Sequence, residues 1–262
     1  MVELIVALAA LALVAGLLWA WGAREPVFAN GAGEVAWFVA LKDARAEPPL
    51  PGDAVPLWRS RADFAMIGAS DAYWTHFYIF RAARTPEITG SEDAFVAKVK
   101  LMRPPPLAFG VLKLLIATGI LSRPADSKTG DAQALGFRAD VMPSPQAIAE
   151  LRAQPASYAP AMVNFLGYRE NGGAAAYARY GRVAMRTVHR TGGKLLFAGR
   201  ILEIVRPATA GPCVGAWDDL AAMRYDRPEA ILSMEHVPEY RAALVHRDAG
   251  LARTVVIATT PR

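Results

Sequence analysis

The chain has 262 residues, of which 53% are hydrophobic and 20% are charged, and its formal net charge is +5. This composition is too apolar for a disordered chain and too charged for a protein that crosses a membrane many times. The 29 basic residues are spread along the chain, without the aromatic-and-basic modules of nucleic-acid-binding proteins. We therefore expect no nucleic-acid partner and a mildly basic surface that suits anionic lipid.

The first segment, Val2 to Trp21, is apolar apart from Glu3 and predicts a membrane-spanning helix. About 20 such residues, rising 1.5 Å each, cross a hydrocarbon core of about 30 Å. Val2 and Leu11 belong to its apolar length, and Trp19 and Trp21 come where indoles favour the lipid interface. A cleaved signal peptide is the alternative, but it needs a basic start, which is missing here. We therefore predict that residues 1–23 are a retained anchor and that the lipid bilayer is a partner.

Charges after this segment predict its orientation. Arg24, Lys42 and Arg45 follow the apolar stretch, and no lysine or arginine precedes it. The positive-inside rule then places the bulk of the chain in the cytoplasm.

Residues 34–155 predict an α+β region, which is either a separate unit or a diverged ferredoxin-like repeat. Proline and glycine clusters mark the boundaries between its predicted elements. Its predicted elements are strands at Val35–Leu41, Tyr73–Phe80 and Phe137–Met142, a proline-rich loop at Ala46–Pro56, and helices at Ser91–Met102, Leu107–Leu121 and Gln146–Ala153. Ser91 is expected to cap the first of these helices, with Asp93 in its first turn.

The helix predicted at Leu107–Leu121 allows two interpretations. It carries Lys113 as its only charge and is too short to span a bilayer comfortably. It is either a buried core helix, which we favour, or an interfacial helix lying on the membrane, which should show a richer polar face.

Residues 156–262 show clearer periodicities and predict a ferredoxin-like domain. The predicted elements are strands at Ala161–Tyr168, Lys194–Val205, Ala216–Tyr225 and Arg253–Thr259, and helices at Ala174–Thr191 and from Pro228 to Leu244. Their order is β-α-β-β-α-β, which is typical of ferredoxin-like folds. The first helix has an inner stripe of Tyr177, Tyr180, Ala184 and Val188 at spacings of three and four residues.

Several stretches of this region together resemble a known family. They are Met162-Val163-Asn164-Phe165-Leu166, Tyr177-x-x-Tyr180-Gly181, Gly192-Gly193, Phe197-Ala198-Gly199-Arg200, Trp217-Asp218, Met223-Arg224-Tyr225, Pro238-Glu239-Tyr240 and His246-Arg247-x-Ala249-Gly250-Leu251. In this order they resemble the bacterial domain-of-unknown-function family 1330, a branch of the dimeric α/β-barrel superfamily. The resemblance covers residues 161–262, about two fifths of the chain, and leaves residues 1–155 without a counterpart.

The superfamily resemblance implies two sheets that face each other around a cavity. Relatives in this superfamily include cofactor-free monooxygenases, lactone isomerases and haem-binding enzymes. The second sheet comes either from a second subunit or from residues 35–142 of the same chain. We prefer the homodimer, because a β-α-β-β-α-β order cannot be laid cleanly on the first half.

Six residues are candidates to line this cavity. Asn164 is polar in an apolar strand, and it either faces the cavity or only hydrogen-bonds neighbouring backbone. Arg200 lies in mid-strand and needs a carboxylate, for which Asp218 or Asp219 would serve, or an anionic ligand. His246 is expected in a turn after the last helix, as a general base or as a helix cap. Tyr180, Met223 and Arg247 lie in the stretches of the family resemblance and complete the set.

Other kinds of chemistry are disfavoured by the sequence. Cys213 is the only cysteine, so it cannot form a disulfide within the chain, and it has no adjacent base to activate it. The four histidines lack metal-ligand spacing, and nucleotide-binding and serine-hydrolase motifs are missing. We expect no cofactor and no metal.

Two functions follow from these expectations. The first is a membrane-anchored barrel that binds a small hydrophobic molecule or acts as an accessory protein. The alternative is a cofactor-independent oxygenase or isomerase, with His246, Arg200 and Asn164 around its substrate. A fold alone does not decide between them, so whether the protein is an enzyme stays open.

Overall fold

A computed structural model describes residues 2–25, 34–42, 50–125 and 136–262. The helices are α1 (Val2–Gly22), α2 (Pro106–Ala117), α3 (Pro145–Ala153), α4 (Gly173–Arg190), α5 (Pro228–Leu232) and α6 (Pro238–Gly250). The strands are β1 (Val35–Lys42), β2 (Val55–Ile67), β3 (His76–Arg81), β4 (Asp93–Leu101), β5 (Ala161–Tyr168), β6 (Lys194–Arg206), β7 (Asp219–Arg224) and β8 (Leu251–Pro261). The first part of the predicted proline-rich loop, residues 46–49, lies outside the described residues.

The eight strands form one closed antiparallel barrel, in the order β1-β3-β2-β8-β5-β7-β6-β4. The prediction of a ferredoxin-like βαββαβ fold of the dimeric α/β-barrel type is therefore wrong. An isolated ferredoxin-like sheet has two free edges, whereas here β8 pairs with β2 and β6 pairs with β4. Pairing both edges removes the exposed backbone groups that an open sheet must protect.

The second sheet that we expected from a partner subunit comes from the same chain. Strands β1 to β4, within residues 34–101, complete the barrel with strands β5 to β8. The barrel thus takes four strands from each side of the predicted domain boundary at 155/156. The division into domains and the homodimer stay predictions, but closing the barrel requires no second copy.

The first half differs from its predicted elements in two strands. The predicted helix at Ser91–Met102 is strand β4, in which Phe95, Val99 and Leu101 point towards the barrel interior. Ser91 and Asp93 were misleading, because short polar side chains hydrogen-bond nearby backbone groups at turns as well as at the first turn of a helix. Here Asp93 instead accepts hydrogen bonds from the Thr209 and Ala210 backbone amides.

Strand β2 was not predicted. Charged residues interrupt the middle of this strand, and a continuous run of buried residues begins only at Phe64. The predicted strand at Phe137–Met142 is a short 3-10 helix, Ala139–Val141.

The barrel interior is filled with aromatic side chains. One buried cluster takes residues from all eight strands, including five fully buried phenylalanines. Phe38 lies at its centre, with ring centroids 5.5 Å from Phe165, 6.1 Å from Phe197 and 6.0 Å from Phe77. Close-packed interiors of this kind leave little room for a ligand.

Helices α3 to α6 cover one outer face of the barrel. A second buried cluster joins this face, from β2, β5 and β8, to the helices. Tyr180 and Val188 of the predicted inner stripe of α4 are buried there, with Tyr177 and Ala184 packed against them. The arginines Arg179, Arg182 and Arg186 on the opposite side of α4 are exposed.

Helix α1 is the one described helix that is long and apolar enough to cross a membrane, with a mean hydropathy of 2.5 and no buried residue in its apolar window. Its last turn packs closely on α2. A side chain at Gly22 would overlap the Pro106 carbonyl, and one at Gly110 would overlap the Leu18 carbonyl. These two glycines therefore let the backbones of α1 and α2 meet.

A buried ionic cluster fixes the end of α1 to the body of the protein. Glu25 is 4% exposed, and its carboxylate lies 2.6 Å from His189 Nε2 and 2.9 Å from Lys113 Nζ. The Leu195 backbone amide also donates to it. His189 is itself buried, because α4 turns it towards this carboxylate.

Burial by itself raises the pKa of Glu25, but the hydrogen bonds and charges of His189 and Lys113 outweigh that effect and lower it to about 2. Since the folded pKa lies below the ordinary value of 4.5, the ionised carboxylate stabilises the folded state above that value. This contribution is lost as the pH falls from 4.5 through about 2.

We expect Glu25→Gln to lower the free energy of unfolding at neutral pH by roughly 3 kcal/mol, because it removes the charge from a buried ion pair. Denaturant titration of the full chain in detergent, repeated at decreasing pH, measures this. The gap between variant and wild type should narrow below about pH 4.5. Glu92→Gln, at an exposed ion pair with Lys42, is the control and should cost under about 1 kcal/mol. A gap independent of pH would contradict the assignment.

Candidate functional site

A cavity of about 370 Å³ lies between the outer face of the barrel and the covering helices, not inside the barrel. Strands β5, β6 and β7 supply its floor, and α4, α5 and α6 supply its walls and roof. Val163 and Phe165 of β5 point into the packed interior, so the alternate residues Met162, Asn164 and Leu166 face the cavity. The volume suits a small organic ligand.

Methionines surround this cavity. The described residues include seven of the chain's eight methionines, and all seven line it: Met66, Met102, Met142, Met162, Met185, Met223 and Met234. Methionine is unbranched and polarisable, and it adapts to irregular apolar shapes. The lining is therefore able to adjust around ligands of different outline.

Arg247 and a group of tyrosines form the polar part of the roof. Arg247, on α6, is 7% exposed, and its guanidinium lies 5.7 Å from the centre of the Tyr180 ring. Nη1 makes a 3.8 Å contact with the sulfur of Met142. The hydroxyls of Tyr180 and Tyr240 are 3.1 Å apart, and burial raises the pKa of Tyr240.

A second polar group lies where β6 and β7 meet. Asp219 is 5% exposed and accepts a 2.6 Å hydrogen bond from the Tyr168 hydroxyl. Arg200 Nε lies 3.5 Å from the other carboxylate oxygen, although the Arg200 side chain is mostly exposed. Burial raises the pKa of Asp219, and it outweighs the opposing effects of Tyr168 and Arg200.

The structure brings five of the six candidate residues to this cavity: Asn164, Tyr180, Arg200, Met223 and Arg247. Asn164 also donates a 2.8 Å hydrogen bond to the Met162 carbonyl, so it both faces the cavity and satisfies the backbone. His246 does not line the cavity. Both His246 and Arg247 lie within α6, not in a turn after it, and adjacent helical positions point about 100° apart.

Three contributors were missed from sequence. Asp219 was named only as a partner for Arg200, Tyr168 only as a strand end, and of the methionines only Met223 was named as a cavity residue. The signal for the methionines was present, since their positions in β5 and β7 alternate with interior residues. Nothing local in the sequence shows that Met66 of the unpredicted strand β2 belongs with them.

Reactive or metal-binding groups of other kinds do not form a site in the described part of the chain. No group of three or more His, Cys, Asp or Glu residues there is arranged to hold a metal ion. Cys213 is buried, accepts a hydrogen bond from the Trp74 indole, and has its pKa raised by burial to about 12. It is therefore a poor nucleophile.

Comparison with known proteins adds little to this geometry. No protein-family model and no curated protein matches the sequence. A crystal structure of the RPA0582 protein, a protein of unknown function from Rhodopseudomonas palustris, is 29% identical, covers 45% of this chain and 93% of its own, and has a TM-score of 0.40. The methylated RPA0582 protein is also 29% identical, covers 47% and 94%, and has a TM-score of 0.41. Scores of this size do not establish a shared fold.

The raised pKa of Asp219 predicts a pH dependence of stability. A carboxyl whose folded pKa exceeds its unfolded value costs stability once it ionises, so this cost grows as the pH rises from about 4 towards neutral. We expect Asp219→Asn, which can still accept from Tyr168, to gain stability over wild type across that range. Thermal unfolding at several pH values measures this, with Asp71→Asn at an exposed position as control. An advantage that shrinks with rising pH would show that Arg200 dominates instead.

Proposed function

We propose that this protein is a membrane-anchored binding protein that holds a small, largely apolar molecule between its barrel and its covering helices. The observation that carries the proposal is the methionine-lined cavity, with a few polar groups at its edges. Such a lining is typical of ligand sites, in which apolar walls give affinity and a few polar groups fix orientation. An accessory role in delivering or sequestering that molecule is compatible with this site.

The α1–α2 contact supports the membrane part of the proposal. Leu107, Val111 and Leu114 of α2 are exposed beside the end of α1, while Lys113 turns inward to Glu25. An apolar helix face next to a membrane anchor would lie against the bilayer surface. We propose that α1 spans the membrane and that the barrel lies on its cytoplasmic side, as the basic residues after α1 indicate.

A cofactor-independent oxygenase or isomerase is the second candidate, and Asp219 is the observation that favours it. A buried carboxyl with a raised pKa at a cavity is a candidate general base. The constellation expected from sequence does not assemble, because His246 lies away from the cavity. Membership in the family that residues 161–262 resemble, and a homodimer, also stay proposals.

Filling the cavity tests the binding proposal. Gly181 lines the cavity in the middle of α4, and no atom lies within 4 Å of the position its Cβ would take. We expect Gly181→Phe to fold but to lose bound small molecules, as measured by native mass spectrometry of protein purified in detergent. Gly181→Ala is the matched control; it should retain ligand and gain about 0.5–1 kcal/mol of stability. Equal ligand retention in both variants would place binding elsewhere.

Membrane anchoring has its own test. We expect the full chain to resist alkaline carbonate extraction and to keep its intact mass of 28.2 kDa. Replacing Leu8 and Leu11 by arginine should release it, because each arginine costs about 2.5–3.5 kcal/mol at the centre of a membrane helix. Val245→Arg, at an exposed position on α6, is the control. A mass lacking the first 20 or so residues would identify a cleaved signal peptide.

A further inference from the structure

We infer that the cavity recognises an amphipathic carboxylate, with the anionic group at Arg247 and the apolar part among the methionines. This inference rests on the proposed binding function and specifies its ligand class. It starts from the one feature of the cavity that an apolar ligand leaves unexplained, which is a buried positive charge.

Arg247 has no carboxylate counter-ion in the part of the chain that the structure describes. The residue is more than nine-tenths buried, yet no described carboxylate forms an ion pair with it. Of its five N–H groups, one contacts the sulfur of Met142, a weak acceptor, and no other side-chain hydrogen bond is formed within the described ranges. A buried charge without a partner is strongly unfavourable, so an anion is expected there when the site is filled.

The other acidic groups of the cavity do not supply this charge. Asp219 is paired with Arg200 and bonded to Tyr168 on the β6–β7 side. Glu235 also lines the cavity, but the groups that act most strongly on the pKa of Arg247 are tyrosines, not a carboxylate. The roof around Arg247 consists of Met142 and the neutral rings of Tyr177, Tyr180, Tyr225 and Tyr240.

A hydrogen-bond donor beside Arg247 completes the anion site. The hydroxyls of Tyr180 and Tyr240 bond each other, which uses one of their two hydroxyl protons. Neither hydroxyl has another partner among the described residues, so the second proton is free to be donated. A planar guanidinium and a phenolic O–H together match the two oxygens of a carboxylate.

The test uses a matched pair of probes, 2-naphthoate and neutral 2-naphthalenemethanol, titrated calorimetrically into the full chain in non-ionic detergent with protein-free micelles as the blank. We expect wild type to bind the carboxylate about ten- to a hundredfold more tightly than the alcohol. Arg247→Met should abolish that preference, because it weakens carboxylate binding far more than alcohol binding. Arg247→Lys should retain part of the preference, because lysine keeps the positive charge but not the planar guanidinium that donates two parallel hydrogen bonds.

Two further measurements keep the outcomes separate. Arg247→Met should raise the melting temperature of the empty protein, because it removes an unpaired buried charge; that result also shows that the variant folds. Decanoate and 1-decanol repeat the comparison with a flexible chain, and the tighter of the two carboxylates indicates whether the acid is aromatic or lipid-derived. Wild type binding the alcohol as tightly as the carboxylate would overturn this inference alone. Binding of no probe in wild type would overturn the proposed function as well.

Discussion

The closed and filled barrel is the constraint on which the rest of the structure depends. Five phenylalanines from five different strands meet at its centre, and the pairings of β2 with β8 and of β4 with β6 leave no free edge. Because the interior is close-packed, a small molecule has no place there. The outer face of β5 to β7, under α4 and α6, is where side chains separate enough to leave a void, so the architecture itself assigns the cavity to the layer between sheet and helices.

Helix α4 links this cavity to the end of α1. Its inner stripe forms one wall of the cavity, and His189, the residue after Val188 of that stripe, contacts Glu25 just after α1. His189 Nδ1 also bonds the carbonyl of Met185, which lines the cavity. A change in the tilt of α1 would therefore act on α4 through a buried ion pair, not through a loose linker.

Sequence patterns predicted the elements of the second half well and the architecture poorly. Alternation in Ala161–Tyr168 and the Tyr177–Val188 stripe are local signals, and both elements formed close to their expected bounds. Barrel closure depends on pairing between strands some two hundred residues apart, such as Ser60 with Pro261, which no local pattern records. The cavity was predicted on the correct face of β5, that of Met162, Asn164 and Leu166, but a second sheet was expected to cover it where the structure has helices. Alternation separates two faces of a strand without showing which of them the helices cover.

The distribution of methionine determines where methionine oxidation would affect this protein. Each methionine of the described residues lies on the wall of a single void, so oxidation of methionine would act on the cavity. Conversion to sulfoxide makes an apolar side chain polar and bulkier, and it is reversed only by dedicated reductases. Methionine oxidation among the described residues is therefore concentrated where a ligand would lie.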